Sequence, residues 1–334
     1  MNKIIECVPN FSEGRDAQKI VRIVSEIEQV QGVKLLNVES DTDYNRTVVT
    51  FAGKPEAVKD AAFYAIEMAA EVIDMSKHKG AHPRIGATDV CPFVPVANVT
   101  MDECVQIARV LGKKVGEWLG IPVYLYGEAA MIPERHLLPD IRKGEYESLP
   151  ERLKDEKWRP DYGHAEFNDN VRKTGATVIG AREFLIAYNV NLDTQNIQIA
   201  NKISGIVRAS GVVKINEKGE KVRIPGLLKF VQAMGVHLKE HNITQVSMNL
   251  LNYKVAPPHV AFEEVKKQAG VLGVRVTGSE IVGLVPKEAL LTAGRFYSKE
   301  PSEERIIAVA VERLGLSQLN KFIPGKKVIE YMLA

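Results

Sequence analysis

The 334-residue chain is poor in cysteine: Cys7, Cys91 and Cys104 are all it has, in odd number and without metal-ligand spacing. That argues against a disulfide framework or a cysteine zinc site and predicts a reducing, cytoplasmic setting. Long apolar runs are also missing. The start, MNKIIECVPNFSEG, reaches Glu6 and Pro9 before any stretch suits a signal peptide, and no stretch approaches the roughly 20 apolar residues that cross a bilayer. Neither sign of charge dominates, since 44 Lys and Arg against 42 Asp and Glu leave a net +2, too little to argue for nucleic acid. The sequence has no GxxxxGK[ST] and no GxGxxG, so nucleotide and dinucleotide binding lose their sequence support. What is present is ordinary soluble composition, 45% hydrophobic and 26% charged, in a length that allows two packed domains.

The order of elements repeats. KIIECV at 3–8, VKLLNV at 33–38 and RTVVTF at 46–51 read as strands. Ile20, Val24, Ile27 and Val30 mark one helix, and the apolar face from Val58 to Ile73 marks a longer one. A helix over 101–119 and a strand over 122–126 follow. The polar stretch 143–173 reads as a connecting excursion with little regular structure. A strand at 184–192, a helix at 194–209, strands at 227–234 and 244–251, a helix at 258–272 and a strand at 274–276 then restart the pattern. The expected class is α+β: two tandem ferredoxin-like β-α-β-β-α-β units with mixed sheets, helices on the outer faces and a ligand cleft between the units.

The segment HKGAHPRIGATDVCPFVP, residues 78–95, cannot be an ordinary helix. Pro83 disfavours helical geometry at His82, while Gly80 and Gly86 relax the backbone around it. A histidine held this way either fills a turn or transfers protons near neutrality. His78 and His82 have HxxxH spacing, but Gly80 and Pro83 spoil the helix that would align them, and no HExxH occurs. His136, His164, His237, His241 and His259 are scattered, so no metal is expected. Cys91 lies in an apolar run and reads as a buried hydrophobe. Two further loops carry polar groups. Asn10, Ser12 and Glu13 leave the first strand, where Ser12 or Asp16 could equally cap the next helix. Glu39, Asp41, Asp43, Asn45, Arg46 and Thr47 surround a hairpin tip that could be a site or only solvated. If the loops converge, Glu39 or Asp89 could orient His82 and raise its pKa.

The stretches ECVPNFSEG (6–14), NRTVVTF (45–51), HKGAHPRIGATDVCPFVP (78–95), PVYLYGEAA (122–130), FLIAYNVNL (184–192), QVSMNLLNY (245–253) and GSEIVGLVPKEAL (277–289) together resemble the glutamate formimidoyltransferase (formiminotransferase) family over nearly the whole chain. The resemblance implies transfer of a formimidoyl group from N-formimidoyl-L-glutamate to N5 of tetrahydrofolate, as in histidine breakdown. Tetrahydrofolate would be co-substrate, with no metal.

By the same resemblance, residues 1–180 form an N-terminal subdomain carrying the catalytic histidine, and 181–334 a C-terminal one completing the folate cleft. His82 takes the acid/base role and Glu39, where family members commonly have aspartate, the assisting carboxylate. Substrate-binding positions are Asn10, Ser12, Glu13, Asn45, Arg46, Lys79, Arg84 and Asp89; of these Arg46, Lys79 and Arg84 would meet the anionic carboxylates. Gly163, Gly175 and Ala176 fall in the folate-binding segment. A homodimer is implied, in a form without the cyclodeaminase domain of the animal enzymes, whose product passes to a separate protein. Membrane and nucleic-acid partners are not expected. Two alternatives remain: a paralogue moving a formyl group between glutamate and folate, and a non-catalytic small-molecule binding protein on the same fold.

Overall fold

The computed structural model describes residues 3–216, 219–238 and 241–333. The chain divides into two compact units, residues 1–183 and 184–334. The first unit runs β1 (Ile4–Cys7), β2 (Asn10–Phe11), α1 (Ala17–Glu28), β3 (Val33–Asp41), β4 (Arg46–Gly53), α2 (Pro55–Val72), β5 (Thr88–Ala97), α3 (Met101–Leu119) and β6 (Val123–Gly127), then the short helices α4 (Leu138–Arg142), α5 (Leu149–Arg152) and α6 (Asp169–Thr174), and β7 (Thr177–Ala181).

Local chemistry sets the helix limits. Asp16 caps α1, its side chain accepting from the Gln18 and Lys19 N–H groups. Thr100 and Glu103 form a reciprocal capping box on α3, and Gly120, in the left-handed region, stops it. Pro55 opens α2, where its missing N–H costs nothing.

The seven strands of this unit form one mixed sheet, in which β1 and β2 lie in succession between β4 and β5, β3 flanks β4, and β7 and β6 extend the other side. All pairings are antiparallel except β5–β7 and β7–β6. One face buries Ile5, Phe11, Phe51 and Phe93 with Ile27 of α1, Ile66 of α2 and Leu111 of α3. A smaller cluster joins Ile85, Val90, Tyr124 and Val178 to Ile141 and Leu149 of the short helices. The stretch 143–173 has little regular structure, as expected, with α5, α6 and two single 3-10 turns as its only regular parts among the described residues; it is nonetheless packed, since Pro150 opens α5 while Leu149 and Val171 are buried.

The second unit contains β8 (Ile186–Leu192), α7 (Ile197–Val207), the hairpin β9 (Val212–Ile215) and β10 (Lys221–Ile224), β11 (Val231–Leu238), β12 (Ile243–Leu250), α8 (Pro258–Val271), β13 (Val276–Val282), α9 (Lys287–Tyr297), α10 (Glu303–Arg313), and the single turns α11 (Pro324–Lys327) and α12 (Ile329–Met332). Its main sheet has the order β11-β12-β8-β13, all antiparallel. Two strands lie later than the sequence pattern placed them, β11 at 231–238 and β13 at 276–282. Phe230, at φ 57°, turns the chain just before β11, so the apolar Leu227, Leu228 and Phe230 belong to the approach. Among the described residues, no helix is long and apolar enough to cross a membrane.

Candidate active site

The strand register aligns part of the expected site. Glu39 pairs with Val48, Val48 with Asn10, and Asn10 with Val90. Directly paired residues share a face, so Glu39 and Asn10 lie in one row across the sheet, about 10 Å apart at two strand spacings. Arg46, two residues before Val48, is on the same face. The β2–β5 register slips between Asn10–Val90 and Phe11–Thr88, leaving Asp89 without a partner on β2. This bulge turns Asp89 out of the strand's alternation.

The histidine loop is fastened at both ends. Asn45, itself at φ 49°, accepts through Oδ1 from the Gly14 N–H at 2.9 Å and donates through Nδ2 to the Lys79 carbonyl at 3.1 Å. Its own carbonyl accepts from His78 Nε2 at 3.0 Å. The Ala81 N–H donates to the Asp43 carbonyl. A Cβ on Gly80 would stand 2.3 Å from the Tyr44 carbonyl oxygen, so only glycine fits there. Beyond His82, Ala87 N–H donates to Thr174 and Ala176 N–H to Ile85. Gly175, at φ 68°, makes this approach possible, since a Cβ would lie 2.3 Å from the Ile85 oxygen.

His78 and His82 differ sharply within this loop. His78 uses both ring nitrogens, donating to Asn45 and accepting from Arg84 Nε at 3.2 Å. Burial, then the Arg84 charge, holds it below the usual imidazole pKa even though the Asn45 bond opposes this. His82 is half-buried, edge-on to the Tyr44 ring with centroids 6.2 Å apart, and makes no hydrogen bond among the described residues. Its pKa is pushed down to about 3, first by burial and then by Arg142, Arg46, His78 and Arg84.

This corrects the expectation of a carboxylate that raises the His82 pKa. Glu39 is exposed and accepts from Asn37 Nδ2. Asp89 accepts from the Ile85 N–H at 2.9 Å and from Arg142. The charges that act on His82 are therefore cationic.

The remaining expected residues divide by what they already hold. Ser12 donates to the Gly86 carbonyl at 2.7 Å, which pins the loop. Glu13 is buried; burial would raise its carboxyl, but the Asp16 and Arg15 N–H groups and Lys19 outweigh it and hold the pKa low. Arg84, expected to take substrate carboxylates, is already bound to Glu145 and Glu147 at 2.6–2.8 Å. Lys79 is exposed and, with Arg84, Gly144, Glu145 and Glu147, lines an open pocket of about 400 Å³. Arg46 lies over the Tyr44 ring, 5.6 Å from its centroid, and forms no ion pair among the described residues. Asn10 carries no side-chain hydrogen bond among them either. Gly175 and Ala176 abut the loop, whereas Gly163 packs beside Gly116 on α3, on the helical side of the sheet.

Sequence reasoning missed Arg142, Glu145 and Glu147. Arg142 ends α4, pairs with the buried Asp89, and leaves its Nε buried without a partner, as does Arg46. The signal was the IRKGEYE stretch at 141–147, where charged residues surround Gly144 in an otherwise uninterpreted segment. A larger open pocket, about 610 Å³, lies around Gly127, Met131 and His136. It includes none of the expected residues, and the chemistry favours the histidine loop. There, a neutral imidazole with free nitrogens stands among guanidinium groups, an arrangement suited to proton transfer on an anionic substrate.

Comparison with known proteins agrees in extent with this organisation. Residues 4–182 match the family described as formiminotransferase domain, N-terminal subdomain, and residues 187–334 match formiminotransferase domain. A formimidoyltransferase-cyclodeaminase of Gallus gallus is 49% identical over the whole chain, which spans 60% of that relative's length. A glutamate formimidoyltransferase of Thermoplasma acidophilum is 49% identical over 88% of this chain and 92% of its own. One from Streptococcus pyogenes serotype M1 is 43% identical over 89% and 94%. With both units matched and identity this high, the chain belongs to the formiminotransferase family.

Proposed function

We propose that the protein transfers the formimidoyl group of N-formimidoyl-L-glutamate to N5 of tetrahydrofolate, giving 5-formimidoyltetrahydrofolate and L-glutamate, with His82 as general acid/base. The observation that carries this reading is the contrast between the two loop histidines: His78 is bonded at both nitrogens, while His82 is held beside it with none engaged. The names of the Thermoplasma acidophilum and Streptococcus pyogenes relatives support the same donor and group.

The chemistry follows from the amidine. N5 of the reduced pterin attacks the amidine carbon, and the tetrahedral intermediate expels the glutamate amine. One nitrogen must lose a proton and the other gain one. A neutral His82 takes the proton from N5 and returns it to the departing nitrogen, an effect worth about 10²–10⁴ in rate. Arg46, which forms no ion pair among the described residues, is the cation this reading assigns to the donor carboxylates, in preference to Arg84 and Arg142, whose guanidinium groups are already paired. A bound dianion there would also offset the positive field that depresses His82.

The domain reading, 1–180 and 181–334, belongs to the same proposal. The order β3-β4-β1-β5 in the first sheet and β11-β12-β8-β13 in the second supports a ferredoxin-like assignment for each unit. The test is an assay of the purified protein with tetrahydrofolate and either formimidoylglutamate or formylglutamate. Turnover of the first donor alone is expected. Preference for the formyl donor would replace the donor, and inactivity with both would leave only a binding protein.

A further inference from the structure

Glu145, Tyr146 and Glu147 all close on Arg84. Its Nη1 donates to Glu145 Oε2 and to Glu147 Oε2, each at 2.8 Å, and its Nη2 donates to Glu147 Oε1 at 2.6 Å, so Glu147 is held as a bidentate fork. Between the two carboxylates the Tyr146 N–H donates to the Arg84 carbonyl at 2.8 Å. The grip strains the backbone. Glu145 sits at φ 55° and ψ −161°, a region that ordinarily only glycine occupies, and Gly144, at φ 82°, leads the chain into it. Arg84 is the buried member, its side chain 6% exposed, so the strained turn is held on a fixed cation and not on a mobile surface pair.

Arg84 passes this restraint on. Its Nε donates to His78 Nδ1 at 3.2 Å, and His78 Nε2 donates to the Asn45 carbonyl at 3.0 Å. A guanidinium has donors only and keeps its protons, so Nδ1 must be the acceptor and the His78 proton must sit on Nε2. Protonation at Nδ1 would set N–H against N–H and cation against cation. His78 and Arg84 also flank His82 in the chain, so the bond between them closes the loop that carries it.

We infer that Glu145 and Glu147 are positioning residues: they lock Arg84, Arg84 fixes His78 as the neutral Nε2–H tautomer, and the loop so closed from 78 to 84 holds His82 in place for proton transfer. The inference deepens the proposed function, and its kinetic half rests on His82 being the acid/base. Besides Arg84, the titratable and charged groups that act on His78 are Glu13, Arg15, His82 and Glu147. Burial holds the His78 pKa below its usual value, which suits a ring that must stay neutral for the loop to close.

The test follows the His78 ring nitrogens by NMR of histidine-labelled protein across pH, in the wild type and in the Glu145→Gln/Glu147→Gln double variant, with His78→Asn to assign the signals. At about pH 7 the wild type should hold the Nε2–H tautomer. The Nδ1–H tautomer there overturns the inference whatever the variant does. Removing two negative charges leaves Arg84 less compensated, so charge alone would lower the His78 pKa further. Loss of the lock does the opposite: Arg84 leaves Nδ1, and the pKa rises toward about 6.5. In the same variant kcat should fall by about 10- to 100-fold, the effect of a misplaced reacting group, with the KM for formimidoylglutamate changed less than about threefold. A pKa that falls or stays, or an unchanged kcat, overturns the positioning role. Where the double variant does not fold, Glu147→Gln alone is read the same way. A protein with the expected tautomer and upward shift that transfers nothing to tetrahydrofolate would refute the transferase reading and keep the lock on His78.

Discussion

Arg142 donates its guanidinium to the carboxylate of Asp89, and both side chains are withdrawn from solvent, at 14% and 1% exposure. The pair ties α4 to the bulge of β5 and sets a cation beside His82. Because a buried charge that loses its partner bears the desolvation cost alone, Asp89→Asn should destabilise the fold by about 3–5 kcal/mol. Urea unfolding of the two proteins measures this. A loss below about 1 kcal/mol would mean that the buried Arg142 charge does not depend on Asp89 for its compensation.

The two loop histidines should separate in their effects. His82→Ala should lower kcat by about 10²–10⁴ while leaving folate affinity within about threefold. His78→Ala removes bonds to Asn45 and Arg84 and should cost about 1–3 kcal/mol of stability, since it strands a buried partner. Steady-state kinetics beside thermal melts decide it. Near-normal turnover in His82→Ala would remove that residue from the chemistry.

Gly175 offers a test of how the loop is held. Its φ is 68°, and a Cβ at this position would come within 2.3 Å of the Ile85 oxygen, which leaves no room for a side chain. Gly175→Ala should destabilise by more than about 1 kcal/mol and lower kcat further than the lost stability explains, because residues 85–87 must shift. Unchanged kinetics in the folded variant would detach the 174–176 segment from the site.

These contacts show which signals the sequence carries. Helix α3 is legible to its ends, 101–119, because Thr100, Glu103 and Gly120 announce them. His82 is legible because Pro83 and two glycines shape its loop. Asn45 reads as a ligand-binding amide, and its clasp across the loop is not legible, since its positive φ and its partners Gly14 and Lys79 depend on tertiary contact. Asp89 owes its direction to a bulge that no periodicity reveals. In IAYNVNL and ITQVSMNL, Asn189, Asn191, Gln245, Ser247 and Asn249 alternate with apolar residues, so both strands are legible through the apolar half of the alternation.

The depressed pKa of His82 sets the sign of two pH effects. Folded His82 protonates near pH 3, whereas in the unfolded chain an imidazole protonates near about 6.5. The unfolded state therefore binds the extra proton first, so this group's contribution to stability is present above about pH 6.5 and is lost as pH falls toward 3. Removing the imidazole with His82→Asn should flatten that part of the profile: the melting temperature of the wild type should fall more steeply from about pH 7 to about pH 4 than that of the variant. Parallel curves would show that the fold does not depress the His82 pKa. In catalysis the free enzyme already holds His82 neutral at about pH 6, so kcat/KM should show no acidic limb near about 6.5 from this residue. In kcat, where bound carboxylates would offset Arg46, the limb should move upward. A limb at the same pH in both profiles would separate donor binding from the field around His82.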